Sequence, residues 1–326
     1  MTTQAQNKAN PAAMARRLIR DYPLVPLIIL LIALVIALEI MRPGIVNERW
    51  VGNTIKFAIP LAMLAACQTL TMLTGGIDLS VGVAATVSAF VAATQLSTLG
   101  PAGAILVALL PALLIGLANG IGVGLFRVHP LIMTLGTGLI ATGCLQVYQR
   151  TVIASGSSVP EILAWLGTGR TNGFPNSLIV FIPLAIIIIV GLRRTGFGRL
   201  LYAIGENENA ARLAGVRTWQ VLVALYVLSG LIAGITGLIY LGLIKAPSLS
   251  LVEPRVLPSV AAAVIGGTSI FGGRGSYSGA IVGALILTVL TTMLTVMQIP
   301  EGTRRIFFGL IILAVTAIYV RITEEN

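Results

Sequence analysis

Apolar residues along this chain gather into long unbroken stretches, separated by short clusters of Gly, Pro and Arg. Ten stretches can be marked, near residues 24–41, 54–74, 79–98, 102–126, 131–149, 177–192, 220–244, 256–271, 276–297 and 306–320. A helix needs about 20 mostly apolar residues to cross a bilayer core, and most of the stretches approach that length. They are continuously apolar and do not alternate with period two. That favours helices over a barrel, because a backbone in lipid must satisfy its own hydrogen bonds. The pattern predicts an all-α polytopic transmembrane bundle of about ten spans. It fills residues 23–322 as one membrane domain, between short tails at 1–22 and 323–326.

Composition strengthens this picture. Hydrophobic residues make up 56% of the 326, charged residues only 10%, and the mean hydropathy is +0.97; soluble domains carry roughly 25% charged residues. The net charge of +10 comes from 21 basic residues against 11 acids. These cations dot the loops without forming a solvated basic module, so a lipid bilayer is the expected partner and nucleic acid is not. Cys67 and Cys144 both lie inside apolar stretches, leaving no disulfide or zinc framework. No nucleophile with a base, no metal-spaced cluster and no GxxxxGK[ST] string occurs, so the expectation is a non-enzyme with no metal, no cofactor and no ATPase site of its own.

Loop charges orient the bundle. An even number of spans puts both termini on one side, and Arg16, Arg17 and Arg20 place that side in the cytoplasm by the positive-inside rule. The first stretch lacks a small-x-small cleavage site and reads as an uncleaved span. The loop at 193–219, with Arg193, Arg194, Arg199, Arg212 and Arg217, then falls inside. Arg304 and Arg305 fall outside, which means a misplaced boundary or a specific partner. Residues 150–176 form the largest outer loop, broken by Pro160, Gly167, Gly169, Gly173 and Pro175; it is either a docking face or a solvated connector carrying Trp165. Gly116, Gly120 and Gly124, Gly230 and Gly234, and Gly279 and Gly283 recur at four-residue spacing, which lets another helix backbone approach closely.

Three segments carry more than packing. The first, TGGIDLSVG, contains Thr74, Gly75, Gly76, Asp78, Ser80 and Gly82, and Asp78 is the only acid between Glu48 and Glu161. A carboxylate at a spanning helix's centre costs about 2.5–3.5 kcal/mol, so it is normally paired, capped or functional. Gly75 and Gly76 permit a tight turn, and Asp78 or Ser80 could cap the next helix; a role in gating or subunit contact is the alternative. The second, GENENAARLAGV, is Gly205–Val216. Asn207 suits an N-cap, Glu206 and Glu208 favour the positive helix end, Ala210, Ala211 and Ala214 give a small-residue face, Arg212 and Leu213 complete the surface, and Gly215 can stop the helix. The third, IGGTSIFGGRG, holds Gly266, Gly267, Thr268, Ser269, Gly272, Gly273, Arg274 and Gly275; its five glycines read as a bent or re-entrant backbone, or as a cytoplasmic turn.

TGGIDLSVG resembles the signature of the ribose-type monosaccharide permeases of bacterial ABC importers. The likeness continues through RTGFGRLLYAIGENENAARLAGV, AAAVIGGTSIFGGRG and the outer loop, covering nearly the whole chain. The resemblance implies a multi-pass permease of the bacterial inner membrane, with 205–216 as the coupling helix that docks on a separate ABC ATPase subunit. It also implies a periplasmic or extracellular solute-binding protein and a second permease chain, giving a homodimer or heterodimer. Many family members carry an acidic pair shortly before IGGTS, where this chain has Val256 and Pro258.

Polar groups inside the stretches are mostly uncharged: Gln68, Thr69, Thr71, Ser88, Asn119, Thr134, Thr137, Thr142, Gln146, Ser229 and Thr236. Amides and hydroxyls suit a neutral polyhydroxylated solute such as a pentose, hexose or polyol. Gln68 and Asn119 are candidates to line the path, with helix-to-helix bonding as the alternative. His129, before Pro130, reads as a connector. A stand-alone or ion-coupled secondary transporter is the competing function; it would need a buried acid or histidine and no Arg-rich coupling loop.

Overall fold

Every apolar stretch within reach of description becomes helical, three of them (24–41, 131–149 and 220–244) over their full length and the others over part of it. In a computed structural model of the chain the described residues are 24–152 and 158–304, with 306, 307, 309, 310 and 313. Both tails, Arg16, Arg17, Arg20 and Arg305 lie outside them, as does most of the tenth stretch.

The helices are α1 (Leu24–Met41), α2 (Glu48–Met72), α3 (Val81–Thr94), α4 (Leu96–Gly124), α5 (Pro130–Val152), α6 (Glu161–Thr168), α7 (Leu178–Arg194), α8 (Gly196–Leu213), α9 (Thr218–Ile244), α10 (Val256–Ile265) and α11 (Tyr277–Val296). Among the described residues six, namely α1, α2, α4, α5, α9 and α11, are long and apolar enough to cross a membrane. Pairing α7 with α8 across their 66° bend makes seven. The described residues thus bear out an all-α polytopic bundle without confirming the count of about ten, and most of the tenth stretch lies outside them. The stretches at 79–98 and 256–271 yield helices of only 14 and 10 residues, because the first is cut at Gln95, where α4 takes over, and the second gives way to turns after Ile265.

Helix α9 is the axis of the bundle. Its Tyr226, Val223 and Trp219 backbones lie against Gly116, Gly120 and Gly124 of α4, while Gly230 and Gly234 receive Ala112, so the two helices run antiparallel in close contact. The four-residue glycine spacing is thus a packing seam. Gly279 and Gly283 of α11 meet Gly266 and Ala262 in the same way. Helix α1 lies along α11 and buries only Leu38.

That register fixes the depth of α10. Residue 266 faces 279 and 262 faces 283, so Val256, the first residue of α10, comes level with about residue 289. It starts roughly 18 Å into a helix ~30 Å long, at 1.5 Å per residue. Gly82, at the start of α3, packs against Val256 and Glu253, and the Val252 N–H donates to Thr86 Oγ1 at 3.1 Å. Both half-helices therefore begin side by side near mid-depth and run to opposite ends. The backbone that enters the bundle outside any α-helix is residues 245–255, ahead of the glycine-rich segment, and α10 carries the chain on to the opposite end; the glycine-rich segment itself is a compact turn between α10 and α11, closed by Ser269 N–H to the Arg274 carbonyl at 2.8 Å.

The described part of the 150–176 segment is more structured than its Gly and Pro content suggested. Helix α6 is wedged on the end of α9, where Gly242 and Gly167 bring the two backbones together. Beyond it a hairpin pairs Arg170 with Pro175 and Thr171 with Phe174. Its two-residue turn is Asn172-Gly173, both at positive φ, a type I′ geometry whose Asn-Gly signal was overlooked in the sequence. Arg170 donates to Asn53 Oδ1 at 2.6 Å, pinning the hairpin to the start of α2. Arg304 is held by the Ile299 carbonyl at 2.8 Å and paired with Glu301.

Candidate functional site

The three motif segments, up to 200 residues apart in the chain, converge at the end of the bundle that carries Arg127. Each ends or follows a helix in the same way. The N–H groups of Gly75 and Gly76 bond the carbonyls of Met72 and Thr71; those of Gly215 and Val216 bond Arg212 and Ala211; those of Gly267 and Thr268 bond Val264 and Ala263. These are three Schellman caps, with Gly75, Gly215 and Gly267 at φ +76, +87 and +87 in the left-handed position that glycine tolerates best. Two of the capped ends then touch. The Gly273 N–H donates to the Leu73 carbonyl at 3.0 Å, and a Cβ added at Gly205 would overlap both groups. Gly272 abuts Gly205 and Gly75 in turn, and the Glu206 carboxylate rests over Gly273. Tyr202 of α8 completes the contact by donating to the Gly275 carbonyl at 2.8 Å.

Helix α8 breaks at Asn207, whose φ and ψ of −162° and 101° are extended. Its Oδ1 accepts from the Ala210 N–H at 2.9 Å, so Asn207 caps the segment that Gly215 terminates. The face differs from expectation at one residue. Ala211 turns inward and is 7% exposed, while Ala210, Arg212, Ala214 and above all Leu213, at 90%, face outward. Glu208 forms an ion pair with Arg127 from the α4–α5 connection and accepts from Thr218 Oγ1 at 3.1 Å. Arg127 was not a sequence candidate; only the structure shows its special position, a positive φ of 58° in the short loop with His129. Phe271 and Arg274 lie exposed beside this segment.

The other half of TGGIDLSVG climbs from this end into the bundle. Asp78 is 1% exposed, roughly 16 Å up α9 from Thr218, since it is bonded to Ser229 eleven residues along. Its Oδ1 accepts from the Ser80 N–H at 3.0 Å and the Ser80 hydroxyl at 2.6 Å, and its Oδ2 accepts from Ser229 Oγ at 3.1 Å. Neither Asp78 nor Ser80 caps α3 by its side chain; the carboxylate folds back on its own loop instead. Gln68 clasps the Asp78 backbone, donating to its carbonyl at 2.8 Å and accepting from its N–H at 3.4 Å. Asn119 donates to Ser80 Oγ at 2.8 Å and accepts from Thr137 Oγ1 at 2.5 Å. Thr134 bridges Leu79 N–H and the Ile77 carbonyl.

Gln68 and Asn119 are both 0% exposed in this conformation, and helix-to-junction bonding describes them. The other hydroxyls divide. Thr134, Thr137 and Ser229 serve the junction, whereas Thr69, Thr71, Thr142 and Thr236 bond carbonyls of their own helix. Ser88 is buried, and Gln146 faces outward.

With this geometry in hand, likeness to other proteins can be weighed. Residues 51–316 match the family model described as the permease component of branched-chain amino acid transport systems. The chain is 32% identical to the ribose import permease protein of Bacillus subtilis (strain 168) over 87% of its own length and 88% of that protein's. It is 33% identical to the fructose import permease protein of Rhizobium meliloti, covering 90% of this chain and 84% of that one. With the galactofuranose transporter permease protein of Escherichia coli (strain K12) it shares 32% identity, over 89% and 86%. No solved structure matches the chain.

Proposed function

Since the chain belongs to the permease-component family of branched-chain amino acid transport systems, we propose that it is the membrane subunit of an ATP-driven importer for a small neutral sugar or sugar-like solute. The observation that carries this reading is the capped segment 207–215: a short helix closed at both ends, held by the Arg127–Glu208 pair, and presenting Leu213, Ala210 and Ala214 outward. An exposed leucine, at an end of the bundle that also exposes Phe271 and is rich in arginine, is a docking surface for a soluble partner. The partner is the ABC ATPase subunit, and this end of the bundle is the cytoplasmic one, with both termini on that side.

The mechanism follows from what the segment touches. Movement of 207–215 is transmitted through Gly205 to the Leu73–Gly75 cap and the Gly272–Gly273 turn, and thus to the two half-helices that meet near mid-depth. ATP-driven closure of two ATPase subunits rocks two permease chains through these contacts, while a solute-binding protein delivers its cargo at the Arg170 end, over α6 and the hairpin. The sugar class rests on the relatives, which are import permeases for ribose and fructose and a galactofuranose transporter permease.

Proteoliposomes holding the permease and its ATPase, supplied with the binding protein, should take up labelled sugar only with ATP. Leu213→Asp with Ala210→Glu should cut uptake by about tenfold or more, as expected for charges placed in an apolar docking face, while the permease stays folded. Uptake that is independent of ATP and unchanged by both substitutions would overturn this reading.

A further inference from the structure

The segment between α9 and α10 presents charge at a depth where none is expected. Val252 is buried and its N–H is bonded to Thr86, and Val256 is buried against Gly82. These two anchors hold residues 253–255 near the middle of the bundle's height, as the α10–α11 register shows. Between them Glu253, Pro254 and the nearby Leu257 are exposed, and Arg255 is half-buried with its Nε donating to Tyr240 Oη at 3.3 Å. Glu253 has no ion-pair partner among the described residues. Its backbone is fixed from behind and its side chain points away from the core.

Facing lipid, such a group would cost about 2.5–3.5 kcal/mol on insertion scales, and exposed ionisable residues at this depth instead face water or an aqueous seam. We infer that Glu253 and Arg255, with the Tyr240 hydroxyl, line the aqueous solute path at mid-depth and contact a hydroxyl-rich solute as it passes. A carboxylate supplies acceptors only, a guanidinium supplies donors only, and a phenol supplies both; sugar hydroxyls can satisfy all three. This assignment deepens the importer reading and rests on it for the identity of the solute.

The position and the solute can be tested separately. In a Cys144→Ser background, which removes the exposed native thiol and leaves buried Cys67, Glu253→Cys is treated in membranes with a charged, membrane-impermeant thiol reagent. The assembled transporter should label readily, and saturating D-ribose or D-fructose with the cognate binding protein should slow labelling. Modification by a lipid-soluble maleimide alone would place residue 253 against lipid, and modification by neither would place it in a dry interface; either result overturns the assignment. In the reconstituted transporter, Glu253→Gln and Arg255→Gln should each lower the maximal uptake rate by about tenfold, the scale of one charge-assisted hydrogen bond. Uptake unchanged in both also overturns it. Labelling needs no transport, so a complex that labels from water but imports no sugar with ATP discredits the importer reading and leaves the position standing.

Discussion

Two interruptions of helical backbone meet near mid-depth in this bundle, and they are built on opposite plans. The first, residues 73–80, is closed on every side. Its one carboxylate spends both oxygens on neighbouring hydroxyl and amide groups, and Gln68, Asn119, Thr134 and Ser229 reach it from four helices. The second, residues 245–255, is fastened by one backbone bond and one buried valine at each side, and leaves Glu253 and part of Arg255 open. Both offend the rule that a spanning chain satisfies its polar groups internally, but they answer it differently. The first hides its charge in protein and becomes a rivet. The second can be tolerated only where water reaches it, which is what a transport path supplies.

The comparison breaks first, and by the largest margin, at Asp78. Replacing it with Leu removes the acceptor for three buried donors, the Ser80 N–H, the Ser80 hydroxyl and the Ser229 hydroxyl. At about 1 kcal/mol for each orphaned donor the loss is about 3 kcal/mol. Thermal unfolding in detergent should show Asp78→Leu strongly destabilised and Asp78→Asn only slightly, since the amide keeps an acceptor for Ser80 and offers a donor to Ser229. Should Asp78→Asn stay stable but abolish transport, the carboxylate has a gating role and the rivet description is wrong.

A smaller effect is expected where the rivet joins the capped segment. Gly205→Ala pushes a methyl into the Leu73 carbonyl and the Gly273 amide, backbone atoms that cannot yield cheaply, at about 2 kcal/mol. Gly215→Ala meets nothing within 4 Å and is penalised only by its φ of +87°, at about 1 kcal/mol. If the two glycines matter for different reasons, Gly205→Ala should lower both unfolding temperature and ATP-coupled uptake, while Gly215→Ala should mainly weaken uptake through a frayed docking helix. Equal effects on stability would show that the convergence of the three segments is incidental.

Much of this was legible in the sequence. The glycines at 75, 215 and 267 announced helix ends, Asn207 announced a helix start, and the four-residue glycine spacing announced the α4–α9 seam, because each is a local rule of backbone geometry. Asp78 could be seen to need partners. Which partners could not be read, since Ser229 lies 151 residues away and looks like any serine in an apolar stretch. The span count is unconfirmed for a related reason. The stretches at 79–98 and 256–271 are apolar enough to cross, but hydropathy does not show that each crossing is shared between a short helix and the non-helical backbone leading into it. Ala211 turns inward because it lies about 100° around the helix from Ala210, on the side packed against the bundle, and which side that is has no local signal. Glu253 and Arg255 lie just before an apolar stretch, where nothing in the local sequence marks their depth; it is set by Thr86 and Gly82, contacts with no local signature.

The smallest predicted effect is the sharpest test of the contrast. Glu253 makes no ion pair among the described residues and its neighbours Val252 and Val256 carry the packing, so Glu253→Gln should leave unfolding in detergent within about 0.5 kcal/mol of the parent, as for an ordinary exposed site. Asp78→Leu sets the other end of the same scale, at similar depth in the same bundle. A marked loss of stability in Glu253→Gln would mean that this charge, too, is a structural member with partners supplied in the assembly. Stability unchanged in the isolated permease, alongside impaired uptake in the full transporter, is the outcome that separates the open interruption from the closed one, because only a group free of the fold can be spent on a passing solute.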